Sequence, residues 1–171
     1  HPSAAATSPG TLTLSSGTVL PTSTNGIRFG AVSGTTPGGT VNLNGGTLTA
    51  AIIFKGAGTV TNSIINFNGG TLLPSVTSAT FMQGLSRANV RNSGAIIDTN
   101  GRDITIGQAL LHSNIGGDSA TDGGLTKNGA GRLMLNGANT YNGGTTINAG
   151  LVEFGAGATP ASGRIAIQSA G

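Results

Sequence analysis

The chain has 171 residues, of which 31 are Gly, with 8 Lys and Arg against 5 Asp and Glu and no Cys. Scattered cations, one Tyr and no Trp exclude the usual nucleic-acid surface, in which basic residues gather on one face and aromatics stack on bases. Without Cys, stability must come from backbone hydrogen bonds and packing; no apolar run is long enough to span a membrane, and no signal-peptide pattern is visible.

Gly, Thr, Asn and Ser make up about half of the residues, and a disordered linker is the first class to weigh. Disorder goes with few aliphatics and high charge, whereas here 36% of residues are hydrophobic and they fall in short alternating runs. An ordered β protein is expected. After a polar lead over residues 1–10, Thr11-Leu12-Thr13-Leu14 reads as a strand, followed by Ser15-Ser16-Gly17 and a second short strand at Thr18-Val19. Thr40-Val41-Asn42-Leu43-Asn44-Gly45-Gly46-Thr47-Leu48 repeats that skeleton, as does Ile65-Asn66-Phe67-Asn68-Gly69-Gly70-Thr71-Leu72. Thr80-Phe81-Met82-Gln83-Gly84-Leu85 is the one helical candidate and is too short for more than a turn. Weaker strands follow at Ala95-Ile96-Ile97 and Asp103-Ile104-Thr105-Ile106. Further copies stand at Arg132-Leu133-Met134-Leu135-Asn136-Gly137, Thr145-Thr146-Ile147-Asn148-Ala149-Gly150-Leu151 and Arg164-Ile165-Ala166-Ile167.

Each copy is a period-2 strand, a Gly corner and a second short strand. Alternation puts Val41 and Leu43 on a buried side, Gly supplies the positive φ of a sharp bend, and Asn can bond nearby backbone or an Asn one coil away. Leu14, Leu43, Phe67, Leu135, Ile147 and Ile167 mark the copies; apart from the gap between Phe67 and Leu135, which holds the weaker strands, they are spaced from about 12 to about 29 residues apart, which brackets one coil of a solenoid or part of one. The expected fold is all-β, a single right-handed parallel β-helix over residues 1–171. A β-sandwich is the alternative, but sandwiches favour large aromatics and varied strands, and aromatics here are 4%.

Over residues 122–151 the order Gly124-Leu125-Thr126-Lys127, Gly129-Ala130-Gly131, Leu133-Met134-Leu135, Asn139-Thr140-Tyr141, Gly143-Gly144-Thr145 and Ala149-Gly150-Leu151 closely resembles the autotransporter-associated β-strand repeat. Arg132 departs from it, standing where a small residue is usual, at a position expected to face solvent. Residues 81–101 resemble what often precedes this repeat. The resemblance implies a right-handed β-helix in the passenger region of a very large secreted or surface-attached bacterial protein, a scaffold without catalytic residues.

Parallel β-helices also serve as carbohydrate-active enzymes. Glycoside hydrolysis needs two carboxylates at a set separation, and only Asp98, Asp103, Asp118, Asp122 and Glu153 are available. Asp98 and Asp103 flank the turn Thr99-Asn100-Gly101-Arg102; the simpler expectation is that Asp98 caps it while Asp103 neutralises Arg102 or stays solvated. Asp122 reads as a turn residue. His1 and His112 are too few for a metal site, His112 ends an apolar strand, and no nucleophile elbow or phosphate cradle occurs. Tyr141 is expected to pack over a corner rather than stack on a sugar. No catalytic residue, cofactor or metal is expected.

A solenoid exposes unpaired backbone and apolar cross-section at each end unless it is capped or stacked. Neither terminus shows a capping helix or charged segment. The expected partners are other copies of the chain, with Ile165 and Ile167 of one meeting Leu12 and Leu14 of the next, in a filament or a unit of a giant extracellular surface fibre. The alternative is an adhesive or glycan-binding passenger, for which Thr11-x-Thr13 and Thr47-x-Thr49 hint at a threonine array that the sequence does not continue evenly.

Overall fold

A short strand with one apolar side cannot bury that side alone, so each copy must stack on the next. The computed structural model, which describes residues 10–20, 26–30, 34–159 and 164–167, shows this stacking as a parallel β-helix without helices among those residues. The first coil holds β1 (Gly10–Leu14), β2 (Thr18–Val19) and β3 (Ile27–Phe29); β4 (Thr35–Thr36) leads into the second, with β5 (Gly39–Leu43), β6 (Thr47–Ala50) and β7 (Ile53–Lys55). The third has β8 (Thr59–Val60), β9 (Ser63–Phe67), β10 (Thr71–Pro74) and β11 (Ser78–Gln83), and the fourth β12 (Arg87–Val90), β13 (Ala95–Asp98) and β14 (Ile104–Ile106). The fifth has β15 (Leu110–His112), β16 (Leu125–Asn128) and β17 (Arg132–Leu135), the sixth β18 (Thr145–Ile147) and β19 (Leu151–Phe154), and β20 (Ile165–Ile167) follows.

The strands form three long sheets. The first face runs β1-β5-β9-β12-β15, the second β2-β6-β10-β13-β16-β18-β20, the third β3-β7-β11-β14-β17-β19, and β4 pairs with β8 at one corner. Coil length varies from roughly 20 to 30 residues, within the range of solenoid repeats. In register, Leu14, Leu43, Phe67 and Val90 stack inside the first face. Leu48, Leu72 and Ile97 do so in the second, and Ile53, Met82, Ile106 and Leu135 in the third. These three columns meet in one thin core.

Three expectations need correcting. The residues that mark the copies do not share a face: Leu14, Leu43 and Phe67 lie on the first, Ile147 and Ile167 on the second, and Leu135 on the third. The short step from Leu135 to Ile147 is therefore a passage from the third face past the first to the second, not a full coil, because strand–Gly–strand chemistry serves every corner alike. The stretch between Phe67 and Leu135 holds β10 to β17, full coils rather than weak fragments. Thr80–Leu85 is no helical turn either; most of it is β11, which buries Phe81 and Met82 in the core.

Candidate functional site

The repeat motif spans the corners of the fifth and sixth coils. Leu125, Leu133 and Leu135 point inward and are buried. Gly131 sits where a Cβ would come within 1.9 Å of Arg102 O in the coil before, so only glycine lets the corners approach. Gly150 has φ +73, and a Cβ there would lie 2.3 Å from Gly131 O. Gly124, Gly129 and Gly144 occupy further corners, and Leu151 opens β19 with half its surface exposed.

Lys127 is the least expected member of the core. Strand alternation turns it inward, in register with Ile97 and Ile147, where its stem replaces an aliphatic side chain. Its Nζ donates to the carbonyls of Asn128 (2.9 Å), Gly129 (2.7 Å) and Ala149 (3.1 Å), tying the second-to-third-face corner of one coil to that of the next. Burial pushes the ammonium below its usual range, against the pull of Asp98.

Asp122 does the same at the first-to-second-face corner. Oδ1 accepts the N–H groups of Gly124 and Gly143, both at 2.9 Å; Oδ2 accepts Asn142 N–H at 3.0 Å and lies 2.9 Å from Nδ1 of His112. Asn139 fills the strand position that the first face lacks in the sixth coil: Oδ1 accepts Leu110 N–H at 2.9 Å and Nδ2 donates to Ala158 O. Tyr141 is fully buried, with its hydroxyl 2.7 Å from the buried Oγ1 of Thr145, and burial pushes its phenol up to about 12. Two expected outcomes follow. Phenolate absorbance of the native protein should rise near 12, whereas titration near 10 would mean an accessible ring. Tyr141→Phe, which orphans Thr145 Oγ1, should lower urea-unfolding stability by about 1–2 kcal/mol.

Elsewhere the carboxylates serve the chain itself. Asp98 caps its turn as expected, Oδ1 accepting Asn100 N–H at 2.8 Å. Asp103 does not neutralise Arg102; its Oδ1 accepts Arg132 N–H, one coil away, at 2.9 Å. The Arg91 guanidinium grips Asp118 through both oxygens, at 2.9 and 2.8 Å, and holds that carboxyl below the usual carboxylate range. Arg132 pairs with Glu153 at 2.8 Å on the outside of the third face. Among the described residues no group of three His, Asp or Glu could hold a metal ion, and no helix is long and apolar enough to cross a membrane.

The structure separates the residues expected to join end to end. Leu12 and Leu14 lie in β1 on the first face, Ile165 and Ile167 in β20 on the second, so axial continuation sets β20 toward β2 rather than β1. Leu14 is buried; Leu12 is 39% exposed, Leu151 49%, Ile165 51% and Ile167 77%. The polar lead, apart from Gly10, and with it His1, lies outside the described residues.

Register also shows two ladders that the sequence pattern announces only in part. Asn89 Nδ2 donates to Asn66 Oδ1 and Asn66 Nδ2 to Asn42 Oδ1, both at 2.7 Å, and Asn42 Nδ2 reaches Thr13 Oγ1 at 3.2 Å. The outward column of the second face reads Thr18, Thr47, Thr71, Ile96, Thr126, Thr146 and Ala166. Thr47 and Thr71 could have been aligned from their shared Gly-Gly-Thr; Thr126 and Thr146 required the register.

The passenger-associated-transport-repeat family model matches residues 125–153, which include Lys127, Asn139 and Tyr141 and most of the segment that resembles the autotransporter-associated repeat. No curated protein and no solved structure matches the chain.

Proposed function

We propose that the chain is a non-catalytic stretch of an extracellular, surface-displayed bacterial solenoid whose coils stack axially to build a filament or giant fibre. The carrying observation is the axial stacking itself: the three parallel sheets present matching strand edges and inward columns from coil to coil. Among the described residues the inner coils bury their inward columns almost fully, while Leu12 in β1 and Ile165 and Ile167 in β20, which belong to inward columns but whose outer edges pair with no described strand, are partly exposed. The repeat match supports secretion as an autotransporter passenger. The carboxylates support a scaffold over an enzyme, because Asp103, Asp118 and Asp122 are bonded across coils or to a neighbouring loop and Asp98 to its own turn.

Light scattering over a concentration series tests this. Particle mass should grow with concentration and stop growing when Ile165→Lys and Ile167→Lys place charge on the end coil. A monodisperse monomer at high concentration overturns the proposal.

The outward threonine column favours a second reading, an adhesive face for neutral polysaccharide. It offers a hydroxyl and a methyl at most coils, at the strand spacing of about 4.8 Å, and carries no charge. Retention on an insoluble neutral glycan, lost when Thr47→Val, Thr71→Val and Thr126→Val are combined, is the expected result. A glycan panel without a binder removes this reading.

A further inference from the structure

An Asn–Gly step is chemically labile whenever the glycine nitrogen can reach the asparagine carboxamide, and the corners of this solenoid use such steps repeatedly. At most of them the fold occupies a reacting group. Gly45 N–H donates to Leu14 O at 3.1 Å and Gly69 N–H to Gly94 O at 3.0 Å. Asn128 Oδ1 accepts from Asn148 Nδ2 at 2.8 Å, and Gly129 is packed on the Asp98 carboxylate. Gly137 is pressed onto the Ala109 backbone. Asn142 Oδ1 accepts Asp122 N–H and Gly143 N–H donates to Asp122 Oδ1, both at 2.9 Å.

Asn100–Gly101 differs on every count. Both residues are exposed, and among the described residues neither the Asn100 carboxamide nor Gly101 N–H has a hydrogen-bond partner. A Cβ on Gly101 would meet nothing within 4 Å. Asn100 is also the only described non-glycine residue with positive φ, at 49°. The turn is held by Arg102 N–H to Thr99 O at 2.9 Å and by Asn100 N–H to Asp98 Oδ1 at 2.8 Å.

We infer that Asn100 is a site of spontaneous covalent modification, ageing to aspartate and isoaspartate ahead of the other described Asn–Gly steps. The turn opens, at the cost of weak exposed bonds. Gly101 N gives its proton to solvent base and attacks Asn100 Cγ. The new C–N bond closes a five-membered imide, and the bond from Cγ to the side-chain nitrogen breaks, that nitrogen leaving as ammonia with a proton from solvent. Water then adds hydroxyl to one imide carbonyl and hydrogen to the ring nitrogen as either C–N bond opens, giving aspartate or isoaspartate. Nothing is oxidised or reduced. The product sets a new carboxylate between Asp98 and Asp103, and the isoaspartate form lengthens the backbone of a corner on which Gly129 and Gly131 pack.

The test is peptide mapping by mass spectrometry after incubation at mildly alkaline pH, native and in urea. In urea all the Asn–Gly peptides should convert at similar rates. In the native protein conversion should concentrate in the peptide carrying Asn100, and Asn100→Gln, which disfavours the five-membered ring, should slow conversion there by an order of magnitude or more. Native protein in which Asn44, Asn68, Asn128, Asn136 or Asn142 converts as fast as Asn100 overturns the inference.

Discussion

Asp122→Ala is expected to remove about 3–5 kcal/mol of stability, the largest loss from truncating a single corner side chain. The residue is 5% exposed, and its carboxylate is the partner of three backbone N–H groups as well as of His112. Each N–H left without an acceptor costs about 1–3 kcal/mol when buried, and partial access of water to the corner keeps the total below a simple sum. Asp122→Asn retains one acceptor oxygen for Gly124 and Gly143 but turns an NH2 group toward Asn142 N–H, so an intermediate loss is expected. Urea unfolding checks both. An alanine variant as stable as the parent would mean that Asp122 is an ordinary turn residue.

Lys127 carries the second large effect. Lys127→Ala removes three charge-assisted bonds and the buried stem, leaving the carbonyls of Asn128, Gly129 and Ala149 without their donor. A loss of about 2–4 kcal/mol is expected. Lys127→Met keeps the volume between Ile97 and Ile147 and should recover part of it, because a buried charge carries its own desolvation cost. pH separates packing from charge. The folded-state value of Lys127 lies below the 10.5 of the free side chain, so the unfolded chain binds the proton more tightly in that interval. Its contribution is therefore fully present above pH 10.5 and falls away as pH drops through the lowered value. The parent should gain stability relative to Lys127→Met as pH rises toward 10.5, and a constant difference would contradict the assignment. Tyr141 is common to both proteins and cancels.

The strand-level pattern was legible because it is local. Leu12-x-Leu14, Val41-x-Leu43 and Ile65-x-Phe67 alternate, and the glycines between them announce corners. The face to which each strand belongs was not legible, because it depends on coil lengths, and a loop such as Ser113–Gly124 changes the count without changing the motif. That is why Leu135 and Ile147 read as equivalent while lying on different faces. The locks were hidden for the same reason. Asp122 has a turn residue's surroundings in sequence, yet Asn142 and Gly143 arrive from the next coil; Asp103 sits beside Arg102 in sequence, yet bonds Arg132 N–H. Lys127 is legible as part of a motif, while its bond to Ala149 O depends on the corner of the next coil. The threonine column was half visible, since Thr47 and Thr71 share a motif and Thr126 and Thr146 do not.

The proposed assembly stacks coils along the solenoid axis. Electron diffraction from negatively stained, concentrated protein tests it most directly. Rods should form with strands perpendicular to their length and a spacing of about 4.7–4.9 Å along the rod axis, the distance between neighbouring strands. Separate particles of single-chain size, or rods whose strands run along their length, would contradict it.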